Sequence, residues 1–303
     1  EEKIALEYGS GRQFQVSKKC PYAEPTPPPV PTPSPTSQTS PSGYFTYNVS
    51  NNSGDTKYDA ASYRTSIDDA IAKFDGILTG PPYQDWKLHI DVKFASLAGG
   101  ILTDSEWTDL QFTEPTFGTI FPIAAEITIN YNYLDSLIAS TTPAGKNELY
   151  DNVLHAMGIC MGIGKLTFSY QSINGLPVTA YGNADGITRH YYHGENALRE
   201  YKAYFPEYAD NIVGIPLEDS GPSSVHGEYI EEGHSPTIGS TDDRMINGYL
   251  HPGLGNEIMT VVSSGSAGSK LSKITIGLLA DLGFSVDYSK ADDYTPPTPT
   301  PTS

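Results

Sequence analysis

The feature that most limits what this chain can fold into is its proline. Residues 24–43 read EPTPPPVPTPSPTSQTSPSG, and residues 295–303 read TPPTPTPTS. Each proline ring fixes φ and removes a backbone donor, so neither stretch can enter a helix interior or the middle of a sheet. Both read as polyproline-like, semi-rigid tethers, with an SH3-type ligand as the alternative. They divide the 303 residues into an N-terminal arm (1–23), a spacer (24–43), one large module (44–294) and a second spacer (295–303). The module is long enough for a real hydrophobic core. The arm is not. Lys3–Tyr8 and Arg12–Ser17 can form short strands around Gly9 and Gly11, but so small a hairpin buries too little surface to stand alone. It is expected to dock on something else, a neighbouring subunit or a particle.

Charge narrows the partners. Asp plus Glu number 36 against 18 for Lys plus Arg, a formal net charge of -18. That balance repels phosphate backbones and anionic lipid, which argues against nucleic-acid and membrane-surface binding. No apolar run reaches the roughly 18 residues of a membrane span, so no membrane insertion is expected. The two cysteines, Cys20 and Cys160, lie far apart and form no disulfide framework or Cys-rich metal pattern. Tyrosine is abundant, at 21 residues, and tethers at both ends suit an exposed setting. Two Asn-x-Ser triplets, at Asn48 and Asn51, are weak glycosylation signals.

Within the module, Tyr63–Leu78 carries apolar residues at helical spacing (Ile67, Ala70, Ile71, Phe74, Ile77), with Ser66 as the expected helix start. Trp86–Phe94 alternates like a half-buried strand, Leu88, Ile90, Val92 and Phe94 facing one way. Ala124–Tyr133 is a second, β-branched strand. Helices are expected at Lys146–Met161, Glu195–Tyr204 and Ser272–Leu282. Helix, strands, long helix, loops and helix together predict an α+β fold.

The chemistry is concentrated in YDNVLHAMGICMGIG, residues 150–164. Residues at i and i+4 project from one helix face, which is how His-Glu-x-x-His presents two imidazoles to one zinc, with the Glu as general base. Here His155 holds the first position and Gly162 falls where the helix-ending turn belongs. Ala156 replaces the base and Ile159 the second ligand. A methyl group exchanges no proton, a loss worth about 10²–10⁴ in rate, and isoleucine has no lone pair. A catalytic zinc normally takes three protein ligands plus water.

The surroundings strengthen the pattern. NVLHAMGICMGIGKL resembles the active-site helix of leishmanolysin-like metallopeptidases. YHGENALREY (192–201) and GIPLEDSG (214–221) are similar to segments of that family's bacterial branch. NEIMT (256–260) resembles its Met-turn, and KITIGLLADLGFSVDY (273–288) its closing helix and strand. The resemblance implies a metzincin-like metallopeptidase domain, with a twisted mixed sheet and an active-site helix, and places Met259 beneath the metal site. Counted without gaps from Pro216, the family's third ligand falls at Tyr229; a three-residue slip would use His226 instead. On the ungapped register an insertion, about 233–252, overlies the old site, and apolar side chains are expected to fill the former metal pocket as a dry core.

Other candidates have plainer readings. His155 reads as a buried, hydrogen-bonded neutral histidine, with residual metal binding through His155 and His226 as the alternative. Cys160 reads as core filler. His190 and His193 suit a surface role. His226, His234 and His251 lie in a Gly-rich stretch that could reach a rebuilt site. Glu228, Glu231 and Glu232 could bind Ca²⁺, but a solvated acidic loop is the default, as for Asp242 and Asp243.

These features predict a catalytically inactive metalloprotease-like domain, an extracellular or virion-surface structural or adhesion module that needs no cofactor. Its expected partners are neighbouring subunits through residues 1–23 and a host or cell-surface glycan or protein. The alternative is an active or residually zinc-binding metalloendopeptidase with rearranged ligands, for example His155 with His226 and His234. Engineered silencing at Ala156 and Ile159 is a third possibility; that Tyr229 departs too favours natural loss.

Overall fold

A computed structural model describes residues 2–7, 13–18, 37–112, 120–142, 144–164, 167–168, 178–182, 188–218, 227–233, 244–246, 249–260 and 268–298. The fold is α+β, built on a mixed five-stranded sheet. In chain order its strands are β3 (Gln38–Thr39), β4 (Phe45–Asn51), β6 (Leu88–Ala95), β7 (Thr103–Phe112) and β8 (Ile120–Asn130), arranged β3-β4-β6-β8-β7. β4, β6 and β8 run parallel, and β3 and β7 close the two edges antiparallel. The expected face of Leu88, Ile90, Val92 and Phe94 is wholly buried. β6 lies between β4 and β8 in the interior of the sheet.

The edges were harder to read. β7, TDSEWTDLQF, carries Asp104, Glu106 and Asp109 as charges suited to an edge strand, and with only Trp107, Leu110 and Phe112 apolar it shows no apolar run. β8 begins at Ile120, earlier than expected, and stops at Asn130 rather than Tyr133. The reason is Asn130 itself. Fully buried, it donates from Nδ2 to the Leu97 and Ile101 carbonyls and accepts from the Asn132 amide, turning the chain into a single 3₁₀ turn.

The first helix, α1 (Ala61–Ile77), starts five residues before Ser66. Ser66 is therefore inside the helix, buried, its hydroxyl bonded to Asn147 rather than capping its own backbone. Beyond the sheet come β5 (Leu78–Gly80), α2 (Leu134–Ala139) and α3 (Glu148–Cys160). α3 is capped by the Asn147 side chain, which accepts from the Tyr150 amide. It ends in a Schellman turn: Ile163 N donates to Gly158 O and Gly162 N to Ile159 O, with Gly162 at φ +103°. That left-handed position is why glycine stands there. α3 packs against α1 and against β7 and β8.

The C-terminal half holds a small sheet of β9 (Val178–Gly182), β10 (Thr188–Tyr192) and β11 (Ile215–Pro216), then α4 (Glu195–Tyr204), the hairpin β12 (Arg244–Ile246) and β13 (Tyr249–His251), and α5 (Lys273–Asp281). After α5, β14 (Ser285–Val286) pairs with β5. Asp281, at the end of α5, accepts from the Asn196 and Ala197 amides at 2.8 and 3.1 Å, so a carboxylate sits on the N-terminus of α4. Near the arm's predicted strands, β1 (Glu2–Glu7) and β2 (Gln13–Lys18) form an antiparallel hairpin.

The module is larger than its proline borders suggest. Gln38 and Thr39 pair with β4, and Ser42 bonds to Asp75. At the other end the Tyr294 hydroxyl reaches the Leu254 carbonyl at 2.5 Å, and Pro297 packs on Gly255. Residues 19–36 and 299–303 lie outside the described residues, Cys20 among them. Both glycosylation triplets are engaged: Asn48 Nδ2 donates to Asp91, and Asn51 Nδ2 to the Asp55 carbonyl.

Two helical glycines should respond to alanine with opposite signs. A Cβ on Gly277 would stand 2.6 Å from the Ala197 Cα, backbone that cannot turn aside, whereas one on Gly76 meets nothing within 4 Å. Gly277→Ala is expected to lower stability by about 1–3 kcal/mol. Gly76→Ala should raise it by roughly 0.5–1 kcal/mol through helix propensity. Thermal melts of the two variants against the parent check both signs.

Candidate functional site

α3 carries the degenerate motif, and three segments converge on it. The first is the turn 256–260. Here the His155 Nδ1–H donates to the Ile258 carbonyl at 2.6 Å, fixing the ring and leaving Nε2 with the lone pair. Met259 is buried, and its Sδ lies well inside contact distance of where a Cβ on Gly158 would stand, so any larger residue at that point of α3 would force the methionine to shift. The second segment is 227–233. Its Tyr229 ring stacks on the His155 ring, centroids 5.5 Å apart and planes 18° from parallel. The third is β7, whose Trp107 Nε1 donates to the Ile159 carbonyl at 2.7 Å.

Burial pushes the His155 imidazole below its usual 6.5, which favours the neutral ring at physiological pH. Burial first, then the nearby Glu228 and Asp104 charges, push the Tyr229 phenol up to about 12, so it stays protonated. Cys160 is fully buried and free, its thiol raised by burial and inert as a nucleophile. Cys160, Met161 and Ala156 are enclosed, but His155, Ile159 and Tyr229 each keep partial exposure. The expected dry hydrocarbon core is therefore confined to the inner face of α3. On the outer face an aromatic ring covers the imidazole.

The resemblance implies a catalytic zinc, and the described residues at the motif positions do not fit one. Ala156 and Ile159 offer no ligand atom, the Tyr229 phenol holds its proton, and one His155 nitrogen is committed to a carbonyl. One lone pair remains where three ligands are needed. His226, His234, Asp242 and Asp243 lie outside the described residues, as does most of the 233–252 insertion.

The remaining histidines have separate duties. His251, fully buried, donates from Nδ1 to the Tyr249 carbonyl and accepts at Nε2 from the Val213 amide. His190 lies on β10 and His193 beyond its end; both are half-buried rather than on the open surface.

The acidic segment overturns its default reading. Glu231 and Glu232 are not a solvated loop: they are 0% and 5% exposed, and Glu228 alone is partly exposed. They meet Glu218, also 0% exposed, with carboxylate oxygens all within 4.8 Å of one another. Backbone pairing creates the cluster. Glu218 N donates to Tyr229 O, Glu231 N to Pro216 O, and Gly255 N to Glu232 O. Burial, then Glu218 and Glu231, push the Glu232 carboxyl up to about 9. Glu218 was legible only as the fixed Glu of GIPLEDSG, because its meeting with 231–232 depends on a bridge between Leu217 and Ile230.

No protein-family model matches this chain, and no curated protein matches it. Among the described residues no helix is long and apolar enough to cross a membrane.

Asp151 supplies a pH test of how α3 is held. Its carboxylate accepts from the Ser269 amide at 2.8 Å; burial first, against that hydrogen bond and Lys270 and with Asp292 and Glu148, pushes it up to about 6. A raised carboxyl favours the fold while protonated. Its contribution is full below about 3.8 and is lost as pH rises through 6. Asp151→Asn, which keeps an acceptor for Ser269, should flatten the decline in melting temperature between pH 4 and 7. An unchanged slope would contradict this.

Proposed function

We propose that this chain carries a leishmanolysin-like, metzincin-type scaffold that has lost its hydrolytic machinery and serves as an exposed structural or adhesion module. The observation that carries the reading is the Tyr229 ring stacked on His155, at the ungapped position of the third ligand. Position i+1 is an alanine and position i+4 an isoleucine, so the helix that would hold and activate a metal-bound water retains one imidazole. The packing of Met259 under Gly158 supports the metzincin assignment, since the Met-turn resemblance places that methionine beneath the same helix.

An exposed setting is supported by the proline tethers and the net charge of -18. Such a surface suits a glycan or protein partner at a cell or particle exterior and disfavours nucleic acid. The hairpin and the first tether are the natural anchor and spacer of this arrangement.

Metal analysis of the purified chain tests the proposal. It should carry no stoichiometric zinc, leave a casein-like substrate intact, and show no change of either result on adding a chelator. The variant combining Ile159→His with Tyr229→His should bind zinc where the parent does not. One zinc per parent chain, with chelator-sensitive cleavage, would overturn the reading and favour a peptidase using His226 or His234.

A further inference from the structure

Three carboxylates buried together carry an electrostatic cost that protons, partner side chains or a bound cation can offset. Two independent facts point to a cation. The spread of the oxygens is one: the ligand atoms of Glu218, Glu231 and Glu232 all lie within 4.8 Å of one another. Calcium–oxygen bonds of about 2.4 Å place opposite ligands about 4.8 Å apart, so the three oxygens fit on one Ca²⁺ sphere. The other fact is Glu232. The residue is 5% exposed, both of its side-chain oxygens are sealed from solvent, and apart from the neighbouring Glu218 carboxyl no hydrogen-bond partner among the described residues reaches them. A protonated carboxyl in that place would still leave an acceptor without a donor, a cost that native interiors seldom carry.

We propose that Glu218, Glu231 and Glu232 form a buried site for a divalent cation of the Ca²⁺ type. All-oxygen, all-carboxylate ligation suits a hard cation and lacks the nitrogen or sulfur that zinc or copper prefer. Mg²⁺ dehydrates reluctantly and usually keeps several waters, which suits a site sealed from solvent less well.

The scaffold holds the ligands in place before a cation arrives. Glu231 Oε1 accepts from the Gly233 amide at 3.1 Å, which orients one carboxylate. The Leu254 amide donates to Glu231 O and the Gly255 amide to Glu232 O, pinning the segment to the chain that leads into the 256–260 turn. Gly253 packs its backbone directly on Gly233, leaving no room for a side chain between them. A cation here ties 215–218 to 227–233, the segment that lays Tyr229 on His155. Its role is structural, and it does not depend on whether zinc once bound α3.

The test uses the full chain, stripped with chelator and dialysed, with Ca²⁺ alone as the probe. Calorimetry should show one Ca²⁺ per chain, and millimolar Ca²⁺ should raise the melting temperature by several degrees, more than equal Mg²⁺. Glu232→Gln should weaken Ca²⁺ affinity by about tenfold or more. Its melting temperature without Ca²⁺ should equal or exceed that of the stripped parent, because a buried charge has gone. Glu228→Gln, one residue before Tyr229, should keep the full Ca²⁺ response. The proposal is overturned if the stripped parent neither binds Ca²⁺ nor gains stability, which would leave shared protons as the neutralising agent. It is equally overturned if the response survives both Glu232→Gln and Glu218→Gln.

Discussion

The carboxylate of Glu257 is the interaction around which the C-terminal half is organised. Its residue is 1% exposed, and burying a charge that deeply is tolerable only when donors replace water. Four do so: the Ser272 amide and hydroxyl and the Thr275 hydroxyl on Oε1, and the Met259 amide on Oε2. Ser272 is also the N-cap of α5, so the charge lies at the positive end of that helix. One side chain thus fixes the start of α5 and the turn that carries Ile258 and Met259. That turn then orients His155 and fills the notch at Gly158. If Glu257 moved, the histidine would lose its carbonyl and α3 its packing partner together.

A second knot works the same way at the far end of α5. Asp281 holds the first turn of α4 and the Tyr192 hydroxyl, while Gly277 brings the two helices into backbone contact. The segments 192–201 and 273–288 are therefore partners in space. Their joint presence in the chain has a physical explanation that needs no chemistry at the motif helix. A scaffold of this kind can lose its ligands without losing its shape, because the residues that hold the turn and the helices are different from those that would hold a metal.

Much of this was legible from the sequence. α4 falls at Glu195–Tyr204, where its apolar spacing places it, and β6 buries the face expected of it. Those elements have strong local periodicity. Strands β4 and β7 were not seen, since one lies next to the proline tract and the other is a charged edge. At the motif helix the lack of ligand atoms at Ala156 and Ile159 was visible because it depends only on which atoms exist. The stacking of Tyr229 on His155 was not, although counting from Pro216 brought the right residue to the right neighbourhood. The acidic segment was misread because a run of glutamates looks solvated until the backbone pairing around it is known.

The sequence by itself determined which ligand and acid–base atoms the helix around His155 offers, where the proline tethers lie, and which segments carry helical or strand spacing. Those properties depend on atoms within a residue or on neighbours a few positions apart. Tertiary structure alone decided that Glu218 meets Glu231 and Glu232, that Ile258 lends its carbonyl to His155, and that an exposed-looking loop is sealed inside. Each of these joins residues between about a dozen and a hundred positions apart, and the acidic cluster does so through isolated backbone bridges such as Leu217 to Ile230. A bridge of that kind leaves no periodic trace in the chain, because its hydrogen bonds are made by backbone atoms that every residue shares.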